Sequence, residues 1–277
     1  MITFRKFGRL GRFGNQLFQY AGVRLYAEKN GFKFSLPHWI GYNIFENIKP
    51  QNRVELIISK FLPTRHLEDI ASYNKIEKIL YMIGFYKKLP PITSLAELYA
   101  KKENNISIYS YLQDPLSLQL IKENKDKIKN WYRFKPDIEN KINEKVKEFK
   151  PWIGVHIRRG DYLIRPSLVV SLDKYKKFLQ ENFKDEQIFL ASDDPNIHLE
   201  FKGFNIIKPE KPQGIRGDIF DFWMLSHAKA VIGGGSTFSW WAALLGGSDY
   251  YSPPLTHLWH NGYDPIIRKI DLFYEKN

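Results

Sequence analysis

The sequence predicts an α/β fold in which the C-terminal half forms a parallel, doubly wound sheet with helices on both faces. Three observations predict it: strand-like and helix-like segments alternate after residue 151, the strand-like segments are short and apolar, and polar or glycine-rich loops follow several of them. The predicted strands cover 152–158, 187–192, 204–207, 230–234 and the surroundings of Tyr250 and Tyr251; the predicted helices cover 172–183, a short segment after Pro195, 217–230 and 236–246.

The strand at 152–158 has the period-two pattern of a half-polar strand. Its apolar residues alternate with small and polar ones, so His156 and Arg158 share one face, and Gly160 and Asp161 end the strand. Two interpretations stay open on this stretch alone. Arginines at the end of a strand suit a site for phosphate oxygens, whereas an arginine paired with Asp161 would only close a structural salt bridge.

The N-terminal half opens with a predicted strand at 2–6, a glycine-rich turn and a helix at 15–30. Apolar residues recur every four positions on that helix, and Gly31 ends it. A second strand is predicted at 32–37. Residues 40–135 mix short helical segments with prolines and contain no repeat.

At 277 residues the chain is long enough for two domains of ordinary size. We expect the boundary near residue 150, with domains at 1–150 and 151–277 and the segment 136–150 as the bridge between them.

The formal net charge is +12, and the chain contains no cysteine. The charge favours an anionic partner: nucleic acid, acidic lipid or a phosphorylated small molecule. We expect no nucleic acid, because no nucleic-acid motif occurs and the lysines of 122–150 are interleaved with apolar residues at helical spacing, as on a solvated helix face. The lack of cysteine excludes disulfides and thiolate metal sites, which suits a reducing cytoplasm.

The N-terminus lacks the apolar core of a secretory signal, and no uncharged apolar run approaches the ~20 residues of a membrane span. We therefore expect a soluble, cytoplasmic protein. Peripheral contact of its basic patches with the inner face of a membrane is left open, as is its oligomeric state.

Three loops follow predicted strands whose carboxyl ends meet in one crevice in this fold class, at 156–161, 191–195 and 233–241. The third loop is the most informative. Gly233, Gly234 and Gly235 allow a ligand to approach the backbone closely, and Ser236 and Thr237 begin a helix whose N-terminus attracts anions. By itself this loop is slightly better explained as a helix cap beside close packing; two arginines directed at the same crevice favour an anion site.

The second loop reads "ASDDP" and supplies Ser192, Asp193 and Asp194. The two aspartates could bind a ribose, a purine edge or a metal. The metal interpretation is weak because no carboxylate or histidine pair has ligand spacing. A cap on the helix that begins at Pro195 is about as well supported as ligand binding.

The N-terminal turn "GRLGRFGNQLFQYA" places Arg9, Arg12, Asn15 and Gln16 where a helix begins. Its glycines recur every three residues, which is not the dinucleotide-binding spacing. Function and scaffold are both compatible with this turn.

These segments together resemble the alpha-1,2-fucosyltransferases, glycosyltransferase family 11. The resemblance rests on "GNQLFQYA" at 14–21, "HIRRGDY" at 156–162 and "DFWMLSHAKAVIGGGSTFSWWAALL" at 221–245, which occur in the family's order and cover most of the chain. The first and third motifs are specific to the family. The second is shared more widely among fucosyltransferases that use GDP-fucose.

The resemblance implies a GT-B-type enzyme with two Rossmann-like domains and a cleft between them, the acceptor side at 1–150 and GDP-sugar binding at 151–277. It implies inverting transfer of L-fucose from GDP-β-L-fucose to a glycan hydroxyl, O2 of a terminal galactose, without a required metal or other cofactor. The alternatives are a GDP-sugar transferase of different linkage or donor, and a non-catalytic basic protein that binds anions.

In that resemblance Arg158 would hold the diphosphate and stabilise the charge that builds on GDP. His156 and Arg159 would support it, and Asn15 would contact the donor or the acceptor hydroxyl across the cleft. Asp161 is the candidate base, although pairing with an arginine would lower its basicity. The catalytic set is Arg158, His156, Asp161 and Asn15; the donor-binding set is Arg159, Gly160, Ser192, Asp193, Asp194, Gly235, Ser236, Thr237, Phe238, Arg12 and Gly14, with no metal ligand.

The sequence departs from the family pattern at Gly235, where the family usually has Asn before the Ser-Thr-Phe-Ser-Trp-Trp run. The resemblance also implies that the acceptor pocket lies within 40–130.

Overall fold

The computed structural model of the chain describes residues 1–4, 7–49, 65–66, 79, 82, 95–102, 104, 106–108, 110–149, 151–160, 169–253, 268–270 and 272. The chain divides into two compact units, Met1–Arg133 and Phe134–Asn277. The predicted bridge at 136–150 begins with a helix that packs within the second unit, where Nε1 of Trp223 donates to Oε2 of Glu139 at 3.0 Å.

The first unit contains a parallel sheet of four described strands in the order β2-β1-β4-β3. Its elements are β1 (Ile2–Thr3), α1 (Phe13–Lys29), β2 (Phe34–Ser35), α2 (Gly41–Ile44), β3 (Arg65–His66), α3 (Leu95–Lys101), β4 (Ile106–Ser107), α4 (Pro115–Glu123) and α5 (Lys125–Trp131). The strand predicted at 2–6 is thus seen at Ile2–Thr3, and residues 5 and 6 lie outside the described part of the chain.

Helix α1, which follows the N-terminal glycine turn, is largely buried. Twelve of its 17 residues are buried, so it is enclosed by the fold on most sides instead of showing one apolar stripe. Gly31 follows it in the left-handed region, with φ +66°, and the N–H of Phe32 returns to the carbonyl of Ala27 at 2.8 Å. A left-handed glycine after the last turn ends the helix where the sequence predicts.

The second unit contains a six-stranded sheet in the order β10-β9-β8-β5-β6-β7. Its elements are α6 (Pro136–Val146), β5 (Ile153–Ile157), α7 (Leu172–Asn182), β6 (Ile188–Ser192), a 3₁₀ helix (Ile197–Phe201), β7 (Ile206–Ile207), α8 (Gly217–Ser226), β8 (Ala230–Ile232), α9 (Thr237–Gly246), β9 (Asp249–Ser252) and β10 (Arg268–Lys269).

Two details of this sheet differ from the prediction. Strand β10 was not predicted, and it runs antiparallel to β9, whereas the other described pairs are parallel. Helix α8 ends at Ser226, earlier than the predicted 230, because the chain must already be extended at Ala230 to pair with Ile153 of β5.

Helices cover both faces of the sheet. Ile153 and Val155 of β5 pack in one core cluster with Tyr175 and Leu179 of α7. Gly154 faces the other side, where an added Cβ would lie 2.9 Å from Cδ2 of Leu225 in α8. Each fully buried aliphatic side chain of this kind contributes roughly 1.5–3 kcal/mol. The predicted doubly wound α/β arrangement is confirmed for this unit.

Candidate active site

Three loops lie side by side at the carboxyl edge of the second unit's sheet. Strand β5 pairs with β6 on one side and with β8 on the other, and all three run parallel. The loops that follow them therefore stand in the order glycine loop (233–236), arginine loop (158–160) and aspartate loop (193–195). The sheet thus places next to one another three segments whose first residues are 35 to 75 positions apart in the sequence, as the sequence predicts.

The arginine loop is held by the aspartate loop. Oδ1 of Asp193 accepts the backbone N–H groups of Arg159 at 2.8 Å and Gly160 at 3.1 Å. A Cβ on Gly160 would lie 2.5 Å from Oδ2 of the same carboxylate, so glycine is required for this approach. Nε of Arg159 lies 3.6 Å from Oδ2 of Asp194, and both side chains are about one-third exposed.

Hydrogen bonds between neighbouring residues also hold the aspartate loop in shape. The N–H of Asp194 donates to Oγ of Ser192 at 3.1 Å, and Oδ1 of Asp194 accepts the N–H of Asn196 at 3.0 Å. Such side chain–backbone bonds form a tight turn that leads into the 3₁₀ helix. The 3₁₀ helix begins at Ile197, with Asn196 as its N-cap and no side-chain cap bond, so the predicted cap on a helix that begins at Pro195 is not present.

The glycine loop is anchored by hydroxyl groups. Gly235 has φ +74°, and its N–H donates to Oγ of Ser252 in β9 at 2.9 Å. Ser236 is the N-cap of α9, and its Oγ accepts the N–H of Phe238 at 3.3 Å. The site at the start of α9 is therefore rigid, with Ser236 buried and Thr237 half-buried beside it.

Gly233 and Gly234 are enclosed by tyrosine hydroxyls. A Cβ would lie 2.6 Å from the hydroxyl of Tyr250 at Gly233, and 2.5 Å from that of Tyr175 at Gly234. The Tyr175 hydroxyl also donates to the carbonyl of His156 at 3.4 Å, which links the glycine loop to β5.

The imidazole of His156 lies on the α9 side of the sheet. Its ring centroid is 5.1 Å from that of Phe238, which in turn meets the ring of Phe222 at 5.2 Å. His156 is half-buried, and Arg158, the first residue after β5, is also half-buried. The rings of His156 and Phe238 are inclined by 40°, and this contact restricts the orientation of the imidazole beside the arginine loop.

A pocket of about 200 Å³ opens between the aspartate loop and α8. Its polar lining is Ser192, Asp194, His198, Lys208 and Asp221, and its apolar lining comes mainly from β6, β7 and the 3₁₀ helix. Burial, strengthened by the nearby Asp218 charge, raises the pKa of Asp221 to about 7, and Lys211 opposes the shift. A carboxyl with such a pKa can hold or release a proton near neutrality.

In the first unit, amide side chains hold the turn before α1. Gly8 and Gly11 adopt φ +79° and +74°. Nε2 of Gln16 donates to the carbonyl of Gly8 at 3.2 Å, and Nε2 of the fully buried Gln19 donates to that of Leu10 at 2.9 Å. The glycine spacing of this motif therefore serves a tight turn.

Asn15 lies in the first turn of α1, and its Oδ1 accepts a hydrogen bond from Nε2 of Gln113 at 2.8 Å. Arg12 is the exposed N-cap residue of the same helix, and Gly14 is buried in its first turn.

The structure brings together the predicted residues of the second unit: His156, Arg158, Arg159, Gly160, Ser192, Asp193, Asp194, Gly235, Ser236, Thr237 and Phe238. Arg12, Gly14 and Asn15 belong to the first unit, and Asp161 lies outside the described residues. Four further residues, Gln113, Tyr175, Asp221 and Ser252, were not predicted. Only Asp221 carried a signal in the sequence, as a carboxylate between the aromatic residues Phe220 and Phe222 of α8.

Two units, each with a mainly parallel sheet, and a row of polar loops at the carboxyl edge of the second give the chain the architecture of GT-B-type glycosyltransferases. The chain belongs to glycosyl transferase family 11, whose model matches residues 7–252. Two relatives come from Escherichia coli. An alpha-1,2-colitosyltransferase is 24% identical over 94% of this chain and 95% of its own length. The O-antigen biosynthesis glycosyltransferase WbnK is 23% identical over 85% and 88%.

Solved structures show the same fold. NodZ alpha-1,6-fucosyltransferase soaked with GDP-fucose superposes with a TM-score of 0.58 at 17% identity, covering 92% of this chain and 94% of that one. Another structure, of fucosyltransferase NodZ from Bradyrhizobium, gives a TM-score of 0.60 at 18% identity over 98% of both chains. The apo form of POFUT1 gives 0.59 at 13% identity over 89% and 94%. Within the described residues, no helix combines the length and the apolar character needed to cross a membrane.

Proposed function

We propose that this family 11 glycosyltransferase moves L-fucose from GDP-β-L-fucose to a glycan hydroxyl with inversion, and that the acceptor atom is O2 of a terminal galactose. The observation that carries the proposal is the row of three loops at the carboxyl edge of the sheet, with Arg158 and Arg159 in the middle loop. Structural neighbours solved with GDP-fucose or GDP support the donor, and a relative that forms an alpha-1,2 linkage supports the position.

In the proposed reaction the bond between C1 of fucose and the β-phosphate oxygen breaks, and GDP leaves with the electron pair. The acceptor oxygen bonds to C1 from the opposite face and gives up its proton. Arg158 would stabilise the charge that builds on GDP; one preorganised contact of this kind is worth roughly 10²–10³ in kcat. Arg159, which lies 3.6 Å from Asp194, would support it, as would His156, whose ring contacts that of Phe238.

The nucleoside would lie on the aspartate loop. Asp194 is the better supported of the two candidate carboxylates, because it lines the pocket beside α8, whereas Oδ1 of Asp193 is occupied by two loop amides. Ser236 and Thr237 would meet the phosphates at the start of α9.

The proposal also assigns roles to three residues of the first unit and to Asp161. Arg12 and Gly14 are donor contacts, and Asn15 contacts the donor or the acceptor hydroxyl. Asp161 is the candidate base; little loss of turnover in Asp161→Asn would exclude it. We assign the acceptor side to 1–150 and donor binding to 151–277.

The basic patches could also bring the protein to a membrane surface. Sedimentation of the protein with vesicles of acidic lipid tests this contact.

A second candidate donor is GDP-colitose, which the similarity to the alpha-1,2-colitosyltransferase favours. Colitose is L-fucose without the 3-hydroxyl group, so the two donors differ by a single polar contact. A site that hydrogen-bonds that hydroxyl would discriminate strongly against colitose, while an apolar site would discriminate weakly.

The test measures GDP release with EDTA present, from GDP-fucose, GDP-colitose and GDP-mannose, with and without lactose. It compares the wild type with Arg158→Ala and with Arg133→Ala, whose side chain is 62% exposed and paired with Glu46. Lactose-stimulated release from GDP-fucose that is lost only in Arg158→Ala supports the proposal. Preference for GDP-colitose supports the second donor. Absence of both release and GDP binding would indicate a non-catalytic anion-binding protein.

The linkage is tested separately by NMR of the isolated product. A correlation between the anomeric proton of the transferred sugar and C2 of galactose supports the alpha-1,2 assignment. A correlation to any other galactose carbon contradicts it.

A further inference from the structure

We propose that Gln113 is a positioning residue that fixes the side-chain amide of Asn15 for contact with substrate. The inference rests on the proposed function, in which Asn15 is a substrate contact. Nε2 of Gln113 donates to Oδ1 of Asn15 at 2.8 Å, although 98 positions separate them in the sequence. Both side chains are half-buried in the first unit.

Asn15 is confined from the opposite side by the glycine turn. Gly11 has φ +74°, and a Cβ there would overlap Nδ2 of Asn15 and lie 2.8 Å from its Cβ. The backbone N–H of Asn15 donates to the carbonyl of Arg12 at 2.9 Å, which fixes the first turn of α1. The asparagine amide is thus held between Gly11 and Gln113.

Gln113 is itself fixed by its two neighbours in the chain. Leu112 is 1% exposed and adopts φ +51°, a left-handed conformation that costs a leucine roughly 1–2 kcal/mol. Asp114 is the N-cap of α4, and its carboxylate accepts the N–H of Ser117 at 3.1 Å and the hydroxyl of Ser117 at 2.8 Å. A left-handed residue before Gln113 and a capped helix after it hold the backbone on both sides of Gln113.

The direction of the hydrogen bond has a chemical consequence. Because Gln113 donates to Oδ1, the Nδ2 end of Asn15 is defined, and Asn15 offers N–H groups suited to a hydroxyl or phosphate oxygen of the substrate. A glutamate at position 113 has nearly the same shape but, when ionised, only accepts. It would draw Nδ2 toward itself and reverse the amide of Asn15.

The kinetic test uses Gln113→Ala, Gln113→Glu, Asn15→Ala and the double variant Gln113→Ala/Asn15→Ala in the full chain. The matched control is Gln119→Ala, which removes an exposed glutamine of α4 whose described bond is to Glu123. We expect both single variants at Gln113 to lower kcat/KM about 10–100-fold, mostly in kcat, because a misplaced contact acts in the transition state. We expect Gln119→Ala to match the wild type.

The double variant separates positioning from an independent role. If Gln113 acts through Asn15, removing it from Asn15→Ala causes no further loss. Losses that multiply, or a fully active Gln113→Glu, overturn the proposal. A fall in melting temperature with unchanged kcat and KM would assign Gln113 a purely structural role and overturn it as well.

A second measurement does not depend on turnover. In ¹⁵N-labelled protein, the side-chain NH₂ signals of Asn15 are identified by their absence in Asn15→Ala. We expect them to shift in Gln113→Ala and more strongly in Gln113→Glu, and to stay in place in Gln119→Ala. Unshifted signals in the Gln113 variants overturn the proposal. If the wild type releases no GDP from any donor, the proposed function fails, and these spectra alone decide whether Gln113 orients Asn15.

Discussion

The backbone N–H of Arg159 donates to Oδ1 of Asp193 at 2.8 Å, so the carboxylate after β6 sets the shape of the turn after β5. The two residues follow neighbouring strands whose carboxyl ends lie together. We therefore expect the conformation of the arginine loop to depend on an intact aspartate loop.

Replacing Asp193 should weaken donor binding even if Asp193 does not contact the donor itself, because its carboxylate holds the arginine loop. Asp193→Ala removes the acceptor of the Arg159 and Gly160 amides, and hydrogen bonds to a charged group contribute about 1.5–3 kcal/mol each. We expect GDP affinity, measured by calorimetry, to fall about tenfold or more. The control is Asp173→Ala, whose side chain is 95% exposed. Equal affinities in the two variants would contradict the coupling of the loops.

Asp221 should make stability depend on pH. Its pKa is about 7 in the fold against 3.8 for an ordinary aspartate, because burial and Asp218 disfavour the charge while Lys211 opposes them. The stability that the protonated carboxyl confers is fully present below pH 3.8 and is lost as the pH rises through 7. We therefore expect Asp221→Asn to exceed the wild type by roughly 1–3 kcal/mol above pH 7.

Urea unfolding between pH 4 and 8 measures this difference. The pocket also contains Asp194, His198 and Lys208, so Asp173→Asn is run beside the variant to separate the global titration from that of Asp221. A difference between Asp221→Asn and the wild type that does not change with pH would show that the carboxyl does not titrate as described.

Gly235 should accept asparagine but not valine. Its φ of +74° is left-handed, and a Cβ there would meet no atom within 4 Å, so backbone conformation alone limits the residue. Asparagine tolerates this region and β-branched residues do not. We expect Gly235→Asn to keep GDP affinity within about threefold and Gly235→Val to lose roughly 1–2 kcal/mol of stability. Similar melting temperatures for the two variants would refute this.

Gly234 should not accept alanine, because the added side chain would clash with a neighbouring hydroxyl group. An added Cβ would lie 2.5 Å from the hydroxyl of Tyr175, which bridges to the carbonyl of His156. We expect Gly234→Ala to displace that hydroxyl and to lower the melting temperature, and Gly234→Ala/Tyr175→Phe to recover part of the loss. No recovery in the double variant would place the cause elsewhere.

Alanine in place of Gly22 should destabilise the protein, although alanine usually stabilises a helix relative to glycine. Gly→Ala inside a helix normally stabilises by about 0.5–1 kcal/mol, but a Cβ at Gly22 would lie 2.7 Å from Cδ1 of the strained Leu112. Overpacking of this kind costs roughly 1–3 kcal/mol. We expect Gly22→Ala to be less stable than the wild type in urea, with Gln119→Ala unchanged. Increased stability would contradict the tight contact.

The parts of the fold that the sequence predicts are those set by local patterns. The period-two pattern of β5 and the alternation of strands and helices place the arginine, aspartate and glycine loops at one edge of the sheet. Gly31 and Ser236 mark helix ends through backbone conformation and capping chemistry that act within a few residues.

The parts that could not be predicted depend on long-range pairs. The bond between Gln113 and Asn15 spans 98 positions, and Ser252 reaches Gly235 from the next strand. Strand β10 has only two residues, too few for any periodicity. Leu112 adopts its left-handed backbone for reasons of packing, and nothing in its own residue type indicates this.

The two adjacent tryptophans of α9 give the second unit an optical property of its own. Trp240 and Trp241 are fully buried, and their rings meet edge to face at 5.1 Å and 84° directly behind the glycine loop. Indoles this close and this strongly inclined couple their electronic transitions and give a paired circular dichroism signal. We expect a ligand that shifts the start of α9 to change that signal, so that circular dichroism would detect binding there without an introduced label.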